Sequence, residues 1–246
     1  MRIDVNFDFT TDSKGYWDGF WERDPVLGRY GCDPDAKSDR LRAYQQALYR
    51  RELPNGEYFD LQYDFKPYLV WDGMRFSSDS IITGMRYKRY PVIEEVAERS
   101  DFREWVETML RKSYTIGGEM LFPVEGSINS ARGFNNSTVS DRFDLTLYCI
   151  QSYYEGKESL GDYGLDKVLN SVRLNSRFYD CFLDFKGYVD FFFLQDCVDR
   201  NYDTVFWLDY YGRPVNVDDY YVFIDKQMDF LEKRNEWIDW VMNTSR

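Results

Sequence analysis

Between Tyr221 and Met242 the chain places Tyr221, Ile224, Met228, Leu231, Ile238 and Met242 at alternating steps of three and four, with Asn235 in the same stripe. A stripe of that period belongs to one long helix, and the rest of the chain has to cover it. The theme recurs upstream. Phe143, Leu147 and Ile150 follow a cap at Ser140, an amphipathic segment runs over 165–185, and Gly187 opens an almost wholly apolar run, 188–198, that reads as a buried helix. The first half is different, with short strand-like runs broken by glycine and proline. The expected fold is α+β, a single domain over 1–246, with short mixed strands in 1–139 and a mainly helical half in 140–246.

Several elements of the first half can be placed. Strict alternation of Ile3, Val5, Phe7 and Phe9 with Asp4, Asn6, Asp8 and Thr10 predicts an opening strand. Residues 11–37 are irregular but aromatic, and so are expected to be pinned to the body. Ser38 or Asp39 caps a helix whose apolar face is Leu41, Tyr44, Ala47 and Leu48. Tyr68–Trp71 and Ile81-Ile82 are strand-like. Pro91 opens a helix interrupted near Ser100, a strand follows from Tyr114 to Phe122, bent at Gly117-Gly118 and closed by Pro123, and 124–139 reads as a long polar loop.

Composition narrows the chemistry more than the fold. With no His among 246 residues there is no Ser-His-Asp triad, no Cys-His pair and no imidazole base. A formal charge of −12 argues against nucleic acid or an anionic membrane as partner. No apolar run approaches the ~20 residues needed to span a bilayer, and the first residues lack the apolar core of a signal peptide, so a cytoplasmic location is expected. Cys149, Cys181 and Cys197 sit among apolar neighbours without CxxC spacing, as buried reduced thiols do. Charge is uneven: 180–229 holds 11 Asp against Lys186, Arg200, Arg213 and Lys226, whereas Arg40, Arg42, Arg50, Arg51 and the run Arg86–Tyr90 make the first half locally basic.

Three features could carry chemistry. The loop beyond the bent strand offers Asn129, Arg132 and Asn135, followed by Asp141, Arg142 and Asp144 at a helix start, a set suited to a small anion. Against this, the acids answer the helix dipole and the arginines pair with them. A carboxylate-only Mg²⁺ site could draw on Asp141, Asp144, Glu119 or the pair Asp196 and Asp199. No other cofactor is implied, and neither a Walker pattern nor GxGxxG occurs. Asp190 lies on an apolar helix face and is expected to be buried and paired with Lys186 or a Tyr hydroxyl. Asn235 reads as a packing or register device, and the hydroxyls of Phe76–Ile81 as a turn or cap.

Several strings carry a resemblance along nearly the whole chain: Cys32-Asp-Pro-Asp35, Leu53-Pro-Asn-Gly-Glu57, Ser77-Ser-Asp-Ser80, Thr115-Ile-Gly-Gly118, Ala131-Arg-Gly-Phe-Asn135, Asp141–Leu147 and Asp184–Phe192 with Leu194-Gln-Asp196. Together they resemble a bacterial family classed as a domain of unknown function, which implies an intracellular bacterial protein of this length and no particular activity. Thr115–Gly118 with Asn129 also looks like the Ile-Gly-Asn-Leu…Asn segment of His-dependent restriction nucleases. Gly118 stands where that segment has Asn, and without His an active nuclease of that kind is excluded, leaving an inactive relative of the scaffold.

Two function classes follow. The favoured one is a binding or regulatory protein with a Tyr/Arg/Asn-lined pocket for a small anionic ligand, with a protein partner or a homodimer as further options. The other is an enzyme that uses carboxylates, with or without Mg²⁺, on a phosphorylated or nucleotide-like substrate.

Overall fold

The computed structural model describes residues 1–23, 33–64, 67–81, 91–131, 142–209 and 214–244. In chain order the helices of the first half are α1 (Tyr16–Arg23), α2 (Pro34–Lys37) and α3 (Asp39–Tyr49). Strands β1 (Gln62–Tyr63), β2 (Leu69–Trp71) and β3 (Met74–Ser80) follow, then α4 (Pro91–Val96), α5 (Phe102–Ser113) and β4 (Glu119–Pro123). The remaining helices are α6 (Ile128–Ala131), α7 (Phe143–Tyr154), α8 (Tyr163–Leu174), α9 (Ser176–Tyr179), α10 (Phe185–Phe192) and α11 (Val217–Asp239). The fold is α+β, with a four-stranded antiparallel sheet in the order β1-β2-β3-β4 and a helical second half.

Local sequence explains most of these elements. Ser38 caps α3, its hydroxyl accepting from the Leu41 amide at 3.0 Å, and Leu41, Tyr44 and Leu48 are buried as expected. Asp162 and Asn216 cap α8 and α11 in the same way. Helix α4 stops at Val96 and α5 starts at Phe102, on either side of the expected break. The β2–β3 hairpin turns through Asp72-Gly73, whose φ values of 48° and 76° match a two-residue turn of the hairpin-favoured hand.

Five elements differ from expectation, among them the strand expected from Tyr114, which begins only at Glu119 after a 3-10 turn over Ile116–Gly118. The N-terminal alternation is real in burial, with Ile3 and Phe9 inward, yet residues 1–8 form no strand. The segment has no ladder to join: the Asp4 amide bonds to the Tyr44 hydroxyl, and the Phe9 amide to the Tyr114 carbonyl. Phe76–Ile81, expected as a turn or cap, lies mostly in β3, whose residues Phe76 to Ser80 pair along the backbone with β4 from Pro123 to Glu119. Residues 125–131 of the expected loop are helical turns. The apolar run after Gly187 is α-helical only to Phe192: Phe193 turns left-handed at φ 57°, a 3-10 turn follows over Gln195–Cys197, and the chain folds back to bridge Val198 with Thr204. The cap expected at Ser140, Ile82 and the basic run Arg86–Tyr90 lie outside the described residues.

Both halves contribute to one hydrophobic cluster. At its centre Phe59 and Phe76 from the sheet side meet Phe178 at 5.8 and 5.0 Å between ring centroids, and Phe178 meets Phe182 at 5.1 Å. Cys149, Cys181 and Cys197 are buried free thiols, as the sequence predicts. Burial pushes all three thiols up, which leaves them largely un-ionised. Among the described residues no helix is long and apolar enough to cross a membrane.

Candidate functional site

The short helix α2 begins with Asp33 as cap, its carboxylate accepting from the Asp35 amide at 3.1 Å, and with Pro34 at the first helical position. One residue on, Asp35 is buried with its carboxyl turned to the end of β3, where Oδ2 accepts from the Ser80 amide at 3.1 Å. Opposite Ser80 stands Glu119, the first residue of β4 and fully buried. Its Oε2 accepts from the Ser78 hydroxyl at 2.7 Å, and Ser78 in turn accepts from the Gln45 side-chain amide at 2.9 Å. Asp35 and Glu119 lie within hydrogen-bond reach of each other. Two ionised carboxylates are acceptors only, so a bond between them requires a proton.

The electrostatics agree. Burial raises the Glu119 carboxyl to about 8, with Asp33 and Asp79 adding to the rise and bonds from Asp35 and Ser78 opposing it. Burial also raises Asp35 well above the carboxylate range, reinforced by the charges of Glu119, Asp33 and Asp79. Like charges this close cannot both ionise cheaply, so the pair retains at least one proton at neutral pH. Asp33 is exposed and Asp79 half-buried, which places two further acids toward the outside of the buried pair.

Helix α11 holds the turn that presents Glu119. Asn235 accepts from the Gly117 amide at 2.8 Å and donates to the Thr115 hydroxyl at 2.9 Å. Neighbouring Arg234, fully buried, donates to the carbonyls of Gly117, Glu119 and Phe192 at 2.6, 3.1 and 3.1 Å, and to the Tyr49 hydroxyl at 3.2 Å. The glycines are required by this closeness. A Cβ on Gly117 would lie 2.5 Å from Asn235 Oδ1, and one on Gly118 would lie 1.8 Å from the Ser113 carbonyl oxygen. Asn235, expected as a packing or register device, is a packing tie between α11 and this turn.

The other expected sites fare differently. Arg142 and Asp144 are both fully buried and clasp each other, Nε to Oδ1 at 2.8 Å and Nη2 to Oδ2 at 2.7 Å, while the Trp207 amide donates to Asp144 at 2.9 Å. Asn129 falls in α6; Arg132, Asn135 and Asp141 lie outside the described residues. Of the carboxylates considered for Mg²⁺, Asp196 accepts from Trp237 Nε1 at 3.2 Å and Asp199 caps its own turn through the Asn201 and Asp203 amides. Among the described residues no group of three or more His, Cys, Asp or Glu side chains is placed to hold a metal ion. Asp190 is paired with Lys186 and with the Tyr202 hydroxyl at 3.0 Å, but its side chain is 38% exposed, a correction that follows from the early end of α10. A cleft of about 620 Å³ beside Ala43, Gln46, Arg50 and Met242 opens on another face of α3 and does not include the carboxyl pair.

Sequence reasoning reached Glu119 only as one of several Mg²⁺ candidates and assigned Asp35 no role. The available signal was a set of short polar strings: Asp33–Asp35 holds one acid of the pair, Ser77–Ser80 supplies the Ser78 and Ser80 bonds to it, and Thr115–Gly118 leads into Glu119. No curated protein and no solved structure matches the chain. All three strings fall within a family model that matches residues 3–238, and the chain therefore belongs to the family of unknown function DUF6994.

Proposed function

We propose that the chain is an enzyme of the carboxylate-dependent, His-independent class, with Asp35 and Glu119 as its acid–base pair. The observation that carries this reading is a pair of neighbouring buried carboxyl groups, Asp35 and Glu119, with Glu119 raised by burial to about 8. Such a pair can donate a proton from one carboxyl while the other, once ionised, takes a proton from the same substrate, so that its proton count is unchanged after turnover. Ser78 and Gln45 hold Glu119 in place, and α11 fixes the backbone that carries it. The charge on Asp33, on Asp79 and on whichever acid of the pair is ionised favours a neutral or cationic substrate over the anionic one expected from sequence. The anion pocket at Asn129, Arg132, Asn135, Asp141, Arg142 and Asp144 has less support, since Arg142 spends Nε and Nη2 on Asp144. Mg²⁺ is not needed for this chemistry. The three buried free thiols support placement in a bacterial cytoplasm.

The test is a panel of neutral and cationic amide, ester and glycoside substrates offered to wild type and to Glu119→Gln. The expected result is turnover with a pH–rate profile that titrates near 8, lost by about a hundredfold or more in the variant. Turnover indifferent to Glu119, or none on any substrate, refutes the proposal.

A further inference from the structure

Helix α3 turns Ala43, Gln46, Ala47 and, at its C-cap, Arg50 toward the cleft of about 620 Å³, at the three-and-four steps of one helix face. The approach to β1, Asp60-Leu61-Gln62, lines it from the sheet side, and Met1 and Met242 complete it. The two sides are tied by Gln46, whose Nε2 donates to the Leu61 carbonyl at 2.9 Å. Small-molecule sites have volumes of about 300–1,000 Å³ and apolar walls with a few placed polar groups, and this cleft has both properties.

Its charged side chains are Arg50 and Asp60, which meet Nε to Oδ1 at 3.0 Å. That contact engages one nitrogen and one oxygen, so the Nη1–Nη2 fork and Asp60 Oδ2 keep capacity for a ligand. A lone carboxylate there is drawn by Arg50 and repelled by Asp60, and a lone ammonium meets the reverse. A molecule that carries both groups on one carbon is attracted twice, since it closes a ring of four alternating charges. Behind the charged pair the lining turns apolar, with Ala43, Ala47, Leu61 and Met242. From Arg50 back to Ala43 the helix runs about 10 Å, which suits a chain extended along its axis.

We infer that the cleft binds a zwitterionic α-amino acid with an unbranched apolar side chain. Its carboxylate lies on Arg50, its ammonium on Asp60, and its side chain along Ala47 and Leu61. This site is separate from the carboxyl pair and does not depend on the acid–base reading.

Titration of the isotope-labelled full chain, followed by NMR amide shifts, tests this with L-norleucine, hexanoate and hexylamine as probes. L-Norleucine is expected to bind one-to-one, with a dissociation constant on the order of 1 mM or tighter, and to shift the amides of 43–50 and 60–62. Hexanoate and hexylamine, each carrying one of the two charges, are expected to bind tenfold more weakly or worse. Arg50 and Asp60 have side chains 64% and 40% exposed, so replacing them leaves the fold intact. In Arg50→Ala the preference passes to hexylamine, and in Asp60→Ala it passes to hexanoate. Ala47→Leu, which fills the cleft and keeps both charges, abolishes binding of all three. No binding of L-norleucine overturns the inference, as does binding as tight by either singly charged probe. Affinity indifferent to both charge substitutions, or shifts confined to another face of the protein, overturns it too.

Discussion

Glu119 and Asp144 are both fully buried carboxyl groups, and they are provided for in opposite ways. Asp144 has its own guanidinium two residues away and a backbone amide besides, so its charge is answered on the spot. Glu119 faces another acid, and the nearby guanidinium of Arg234 serves its backbone and not its carboxyl. Desolvating a charge is costly unless it is paired, which makes the first arrangement a structural tie and the second a stored imbalance. The contrast separates an acid that holds the fold from one held by it.

The comparison can be broken hardest at Arg142. Arg142→Ala strands a buried Asp144 and should cost about 3–5 kcal/mol, read by urea unfolding. If the double replacement Arg142→Met with Asp144→Leu is no better than the single one, the tie is not an ion pair in energetic terms. Next comes Asn235→Ala, which leaves the Gly117 amide without its acceptor and the Thr115 hydroxyl with only its own bond to the Lys112 carbonyl, and should cost about 1–3 kcal/mol.

Glu119→Gln sharpens the comparison through pH. In wild type the unfolded carboxyl loses its proton near its ordinary value of 4.5 while the folded one keeps it to about 8. Between these values the folded state binds more protons, so stability is fully present below 4.5 and falls as pH rises through the window, by at most about 1.4 kcal/mol per unit. Gln does not titrate, and the variant's melting temperature should hold steadier from pH 5 to 8. Matching slopes in the two proteins would remove the raised carboxyl from the account. The smallest effect belongs to Asp190→Ala. Its partially exposed pair with Lys186 should be worth under about 1 kcal/mol, and a loss of 3 kcal/mol would show that Asp190 is another Asp144.

How much of this could be read beforehand depended on whether the determinant was local. Helices α3 and α11 are marked by period and a capping side chain, α5 by period alone, and the thiols by their apolar neighbours, because each is decided within a few residues. The opening segment shows the limit of that logic, since Ile3 to Phe9 alternates as a strand does but finds no partner. In β3 the reverse happened: Ser77-Ser78-Asp79-Ser80 has the composition of a turn, and only pairing with β4 makes it a strand. The carboxyl pair is tertiary throughout, drawn from a one-turn helix and the first residue of a strand far along the chain, and no periodicity marks that meeting. Asn235 was legible as an oddity in its stripe; Arg234 beside it, with its carbonyl bonds, was not.

The grip of α11 on the Gly117 turn has a consequence for biosynthesis. The bonds from Asn235 and Arg234 to residues 115–120 span 114 to 120 residues of sequence, so the turn that carries Glu119 leaves the ribosome long before its brace does. Until then β3 and β4 can pair, but the backbone ahead of Glu119 lacks its anchors. Contacts of such separation form late, after much loop-closure entropy has been lost. The nascent chain therefore carries the acids for most of its synthesis without a finished arrangement, and the site matures in a single late event when the long helix docks.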